Sequence, residues 1–315
     1  MPYLNQFSSS NDPLDMTTSS EFLSLCESAN DLGISHADDI RYVSRNVVVR
    51  HQRFHLLEWG DPSLPTLLFL HGGNQSAHSW DLVSLHLADR FHIIAPDQRG
   101  HGDSEWARDA DYSSHAMAAD AHAILSQFNI DQPIVIGHSM GGMNTLRLAL
   151  EQPNLLDRLV LVDVGPELSD AGAKTIRNFV IDNREFDDLE DFIQNVQKYD
   201  PYRSREHIER TVKYNLLQRA DGKYISKRDH GPRLATTQTQ REQSDRFSLS
   251  DASSISQPTL VIRGADSNLF SPEAAQRFAE ALPQGQLETV PDSGHNVHGQ
   301  NTSGFLAALI PFLTS

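Results

Sequence analysis

The chain has 315 residues and carries 42 acidic against 26 basic side chains, a formal net charge of -16. That length suits one large domain with room for an insertion and is enough to bury a sizeable core. The acidic balance repels a phosphate backbone, and no Lys/Arg cluster offsets it, so nucleic acid is excluded as a partner.

A single cysteine, Cys26, rules out an intrachain disulfide and a cysteine-based metal knuckle. The N-terminal stretch has neither a basic n-region nor an apolar h-region. No window approaches the roughly 18 apolar residues that a membrane helix needs, so the reading is a soluble, cytoplasmic protein.

In chain order, residues 1 to about 40 are rich in Ser, Asp and Asn, with one short apolar patch at Phe22, Leu23 and Leu25. The composition predicts a loosely ordered leader with at most one docked helix, contributing little to the core. From about Asn46 the texture changes. Val47–Val49, Phe54–Leu57, Leu67–Leu70, His92–Ala95, Ile134–Ile136, Leu159–Val162 and Leu260–Ile262 are short runs rich in β-branched residues or Leu, the length and composition of strands buried on both faces. Helical patterns lie between them around Ser79–Ala88, Ser113–Phe128 and Met140–Gln152. Such alternation predicts an α/β fold with a mostly parallel, doubly wound sheet.

The alternation stops after Gly165-Pro166 and resumes at Pro258. Asp170–Asp182, Asp187–Val196 and Arg205–Arg219 read as amphipathic helices, followed by a polar run through Ser256. The chain thus divides into a leader (1–40), a core (41–166 and 256–315) and an inserted helical cap (167–255). A cap placed there roofs the carboxyl edge of the sheet, where α/β folds bind ligands, and is expected to set substrate choice.

Ile134-Val135-Ile136 runs into Gly137-His138-Ser139-Met140-Gly141 and then a helical pattern. This is G-x-S-x-G between strand and helix, a turn that strains the serine and projects its hydroxyl above the sheet, so Ser139 is the candidate nucleophile. A serine hydroxyl needs a base within reach. His295, in Ser293-Gly294-His295 between the strand-like Gln286–Val290 and a terminal helix Ser303–Phe312, lies at the same edge; His298 is the fallback. Phe69-Leu70-His71-Gly72-Gly73-Asn74 ends an early strand in two glycines. The amide of Gly73, paired with that of Met140, makes a candidate oxyanion hole.

The ordered set His71-Gly72-Gly73, Asp97-Gln98-Arg99-Gly100-His101-Gly102-Asp103-Ser104, Gly137-His138-Ser139-Met140-Gly141-Gly142 and Gly294-His295 resembles the α/β-hydrolase fold superfamily, and within it capped bacterial serine esterases. The resemblance covers about Ser44 to Ser315. It implies that the Asp97–Ser104 stretch is chiefly structural, with Arg99 and Asp103 tying a loop together. It also implies an acid three residues after the glycine that ends the seventh strand. In Arg263-Gly264-Ala265-Asp266-Ser267, that place is held by Ser267. Two carboxylates compete to orient His295: Asp163, at the end of Leu159–Val162 and 24 residues after Ser139, is preferred, and Asp266 is the alternative.

Asn74, His138 and Trp80 are candidate pocket residues, with His78 beside them; Trp80 is equally a packing residue and His138 equally filler behind the elbow. Arg203, Arg205 and Arg210 read as solvated or salt-bridged cap residues. No His/Glu spacing suggests a metal, and no cofactor is expected. The expected function is a serine hydrolase that cleaves a small-molecule carboxylic ester through an acyl-enzyme, with lactone, diketone carbon-carbon or perhydrolase chemistry on the same site as alternatives. A non-catalytic small-molecule receptor is the competing class.

Overall fold

The computed structural model of the chain describes residues 13–230 and 247–315. The first part of the leader and residues 231–246 of the cap's polar run lie outside the described residues. The strands are β1 (Leu14–Asp15), β2 (Tyr42–Val49), β3 (Gln52–Trp59), β4 (Thr66–Leu70), β5 (His92–Pro96), β6 (Ile134–His138), β7 (Arg158–Val162), β8 (Glu185–Phe186), β9 (Leu216–Gln218), β10 (Tyr224–Ser226), β11 (Thr259–Gly264) and β12 (Gly285–Val290). Nine of them form one sheet in the order β1-β2-β3-β5-β4-β6-β7-β11-β12. The last six in that order pair in parallel, and the first three add antiparallel at one side.

The mixed, mostly parallel sheet follows from the strands' composition. Leu67, Leu68, Phe69, Ile93, Ile94, Val135, Ile136, Val160, Leu161 and Val261 are completely buried, which requires apolar residues on both faces. One face packs Phe69 and Trp80 with Phe305, and the other packs Phe54 and Leu68 with Phe270 and Phe278. Register matters more for function. His138 pairs with Val162 and Val162 with Ile262, so β6 and β7 end level, β11 continues two residues further, and the residues that follow all three enter one edge.

The leader holds the one docked helix that its composition allowed, and that helix adds more to the core than expected. Its helix α1 (Ser20–Asp31) is capped by Ser19, whose Oγ accepts the Phe22 N–H at 3.1 Å, and it buries Leu25 and Ala29 in the core. Leu25 is only 2% exposed. Two apolar positions four apart present one helical face, and that face suffices to dock a helix that is polar elsewhere.

After α2 (Asp81–Leu87), α3 (Ser114–Gln127) and α4 (Met140–Glu151), the insertion contributes α5 (Asp170–Asp182), α6 (Leu189–Tyr199) and α7 (Arg205–Val212). It is not all helical. The expected helix over Arg205–Arg219 ends at Val212, and β9 and β10 form an antiparallel hairpin that β8 extends to a three-stranded sheet. Asp221-Gly222 closes the hairpin, with Gly222 at φ +89° and its N–H donating to Arg219 O. That dipeptide is a hairpin signal stronger than the helical periodicity around it. The insertion has its own small core of Phe186, Phe192, Ile193, Ile208, Val212 and Leu216. Helices α8 (Leu249–Ala252), α9 (Pro272–Ala281), α10 (Val297–Gln300) and α11 (Thr302–Leu313) complete the chain. Among the described residues, no helix is long and apolar enough to cross a membrane.

Candidate active site

Ser139 occupies the turn between β6 and α4 with φ 50° and ψ -113°, a backbone conformation costly for any side chain but glycine. The turn is held shut by close approach. A Cβ on Gly141 would stand 2.1 Å from Leu70 O, and one on Gly137 would stand 2.4 Å from Thr145 Oγ1. Both glycines are therefore required for the geometry that lifts the Ser139 hydroxyl to the edge.

His295 lies past β12, with Nε2 3.0 Å from Ser139 Oγ and Nδ1 2.8 Å from Asp163 Oδ2. The carboxylate accepts the Nδ1 proton, which leaves Nε2 as acceptor for the serine hydroxyl. Asp163 follows β7, is 0% exposed and has φ 49°. It also accepts the Ser267 hydroxyl at 2.6 Å and the Gly264 N–H at 3.1 Å. Asp266 points elsewhere: its Oδ2 accepts the Tyr202 hydroxyl of the insertion at 2.9 Å. His298 is also apart, buried with its ring stacked on Trp80 at 3.9 Å, and burial holds it down to about 3.

The loop after β4 is built by His71. Its Nδ1–H donates to Gly72 O at 2.8 Å while Nε2 accepts the Gln98 N–H at 2.9 Å, and burial keeps the ring neutral. The space beside Gly73, where a Cβ would stand, is open. Among the described residues the amides of Gly73 and Met140 have no hydrogen-bond partner, and Met140 opens α4, where the helix dipole favours negative charge.

Of the pocket candidates, Trp80 and His138 take the packing and filler places that the sequence offered as their alternatives. Trp80 is fully buried, stacked on Phe69 as well as His298, and packs the core. His138 is buried too, its ring nitrogens 2.8 Å from His295 O and 3.1 Å from Gln75 Oε1. Burial, then the nearby rings of His295 and His298, push it well below the usual histidine range. Asn74 stands beside Gly73 and accepts the Ser226 hydroxyl of β10 at 3.0 Å. His78 stacks on Tyr214 of the insertion.

Gln75 was not singled out from the sequence, yet its side chain joins two loops. Oε1 accepts the Gly72 N–H at 2.8 Å and Nε2 donates to Asn296 Oδ1 at 3.1 Å. Nothing local marks such a residue, because its role exists only once the loops converge. Behind the loop, Arg99 binds Asp120 and Asp97 accepts the N–H groups of Ala77 and Asp103. His55, Asp97 and Asp103 gather within metal-ligating distance of one another, but His55 Nδ1 binds Asp97 and Asp103 binds Lys227, so their ligand atoms are occupied.

A serine on a strand-to-helix elbow, with a histidine and a buried aspartate brought to it by later strand ends, is an arrangement that points to a class of protein. Residues 65–302 match the model of the alpha/beta hydrolase fold family. The chain belongs to that family and is a hydrolase. It is 29% identical to an esterase of Mycobacterium tuberculosis, Rv0045c, over 90% of this chain and 92% of that protein. It is also 29% identical to the mouse sn-1-specific diacylglycerol lipase ABHD11, over 82% and 84% of the two chains. The crystal structure of the mycobacterial esterase aligns with a TM-score of 0.73, covering 95% of this chain and 99% of that one at 25% identity.

Proposed function

We propose that the protein is a serine hydrolase that cleaves a small carboxylic ester through an acyl-enzyme. The observation that carries this reading is the continuous line of hydrogen bonds from Ser139 Oγ through His295 to Asp163, facing two unpartnered amides. Ser139 Oγ attacks the acyl carbon as its proton passes to His295 Nε2. The carbonyl oxygen becomes an oxyanion that the Gly73 and Met140 N–H groups receive. The tetrahedral species collapses, and the alcohol departs with the proton from Nε2. Water then gives a proton to Nε2 and attacks the acyl carbon, and Ser139 leaves with that proton as the acid is released. Asp163 holds the tautomer and stabilises the imidazolium at each transfer.

Ester cleavage is supported by the esterase and lipase among the relatives, together with a 28% identical 3-hydroxybutyrate-oligomer hydrolase of Cupriavidus necator. Lactone hydrolysis, diketone cleavage and perhydrolysis begin with the same attack, so a turnover screen over acyl chain length, lactones and diketones separates them. The insertion meets the core at Asn74, next to Gly73, and at Asp266, next to Ser267, so it sets substrate choice in this reading.

The decisive test is Ser139→Ala. The variant should remain folded by circular dichroism, lose fluorophosphonate labelling and turn esters over about 10⁵- to 10⁶-fold more slowly. A folded Ser139→Ala protein with comparable turnover sinks the proposal.

A further inference from the structure

Where the insertion meets the core lies a cavity of about 50 Å³, walled by Gln75, Asn296 and His298 on one side and by Arg203, His207 and Arg210 on the other. Its lining is not self-sufficient. Nε of Arg203, Nε of Arg210 and both ring nitrogens of His298 are buried without a hydrogen-bond partner among the described residues. Asn215 Oδ1, in the same lining, is also without a partner; buried polar groups are as a rule bonded, so five such atoms around one small cavity call for a guest.

The arginines, read from sequence as solvated or salt-bridged, are buried, each beside a carboxylate, and not every N–H is paired. Their side chains are 12% and 4% exposed for Arg203 and Arg210. Arg210 Nη1 donates to Asp81 Oδ2 at 3.1 Å, whereas Arg203 Nη1 stands 3.9 Å from Asp200 Oδ2 and its Nη2 reaches Thr211 Oγ1. Burial pulls Arg203 down and pushes the Asp200 carboxyl up, although each is the other's counter-charge. His207 and His298 are both held neutral by burial, so each offers an N–H without adding charge.

We propose that this cavity is a carboxylate subsite, in which Arg203 and Arg210 receive an anionic group carried by the acyl substrate. The volume admits one carboxylate or one to two waters. The planar guanidinium fork suits a carboxylate. Two walls of the cavity are also parts of the catalytic loops: Gln75 holds the Gly72 N–H, and Asn296 follows His295. A substrate with its ester at Ser139 and a carboxylate a few carbons away spans the two. The assignment rests on the hydrolase reading for its substrate, but the anion site stands by itself.

Glutarate and neutral 1,5-pentanediol are the probes, and thermal unfolding reads the site without turnover. Glutarate at millimolar concentration should raise the Tm of the wild-type protein by several degrees, pentanediol should not, and R203M should lose the shift. The substrate assignment is read from kcat/KM for monomethyl glutarate divided by that for methyl pentanoate. This ratio should favour the anionic ester about 10-fold or more in the wild type and fall about 10- to 100-fold in R203M, the worth of a charge-assisted hydrogen bond. R203K keeps the charge without the fork and should lie between; it serves if R203M does not fold.

Absence of a glutarate shift in the wild type overturns the site and leaves the cavity to water. A shift with a ratio near one in both proteins overturns the substrate assignment. A shift with no turnover of any ester overturns the hydrolase reading while supporting the anion site.

Discussion

Strands β7 and β11 are hydrogen-bonded neighbours that end at the same edge, and each is followed by an aspartate, yet only one of those carboxylates faces His295. Asp163 comes directly after β7, where the ladder still fixes the backbone: its own N–H donates to Ile262 O at 2.7 Å. Asp266 comes two residues past β11, in an exposed loop, and turns to the insertion. The place in that loop where the family commonly puts its acid is held by Ser267, whose hydroxyl donates to Asp163. A strand end aims a side chain more reliably than a loop does, and the loop then supplies a supporting donor. His295 and His298 repeat the contrast, one ring facing Ser139 and the other, three residues on, sealed among aromatic rings.

The sharpest way to break this comparison is to neutralise each aspartate in turn. Asp163→Asn should keep the fold but present the wrong imidazole tautomer and remove the charge beside Nδ1, lowering kcat about 10⁴-fold. Asp266→Asn should cost little. A severe loss in Asp266→Asn with a mild one in Asp163→Asn reverses the two roles.

The histidine contrast predicts a pH dependence of stability. His298 is held at about 3 in the folded chain against about 6.5 unfolded. Between those values the unfolded chain binds the extra proton, so stability rises with pH there and is lost as pH falls below about 6.5. The slope is about 1.4 kcal/mol per pH unit for one such group. His138, His207 and His101 are lowered by the same burial and act in the same direction. Urea midpoints measured from pH 7 to pH 5 should fall steeply, and His298→Gln should flatten the fall. A flat profile in the wild-type protein contradicts the burial that separates His298 from His295.

Much of this edge was legible in the sequence because strands buried on both faces must be apolar throughout, and because the elbow needs its glycines at fixed offsets. Ser139, His295 and the Gly73 loop could be proposed from those constraints. The insertion was less legible. Its strands are two or three residues long, too short for a period, and only Asp221-Gly222 marked the hairpin. The burial of Arg210 left no trace either, since a charged residue on a polar helix reads as solvated until a second surface covers it. In the leader the apolar patch of Phe22, Leu23 and Leu25 was visible, but the face that docks pairs Leu25 with Ala29, and one alanine in a polar stretch adds little hydrophobic signal.

Removing the support under Asp163 is a smaller perturbation. Ser267→Ala deletes one of three hydrogen bonds to the carboxylate and leaves those from His295 Nδ1 and Gly264. The carboxylate persists but is less firmly held, so kcat should fall about 10-fold with KM little changed. Ser267→Thr, which retains the hydroxyl, should restore most of the loss. If Ser267→Ala matches wild-type kcat, the β11 loop plays no part in orienting Asp163.

The smallest effect is expected at the contact that diverts Asp266. Tyr202 is 39% exposed and Asp266 lies in an exposed loop, so their hydrogen bond competes with water on both sides. Such a bond contributes roughly 1 kcal/mol at most. Tyr202→Phe and Asp266→Asn should therefore leave turnover of a small ester within about threefold of wild type. What they loosen is the join between the insertion and the loop before His295, since Tyr202 lies close to Gly294. A bulky ester, which must displace the insertion to enter, should gain relative to a small one in both variants, whereas a purely local bond leaves the ratio unchanged. Agreement between the two variants matters more than either value. Tyr202→Phe removes the donor and Asp266→Asn takes the charge from the acceptor of the same bond, so a shift seen in one alone assigns the effect to that side chain and not to the contact.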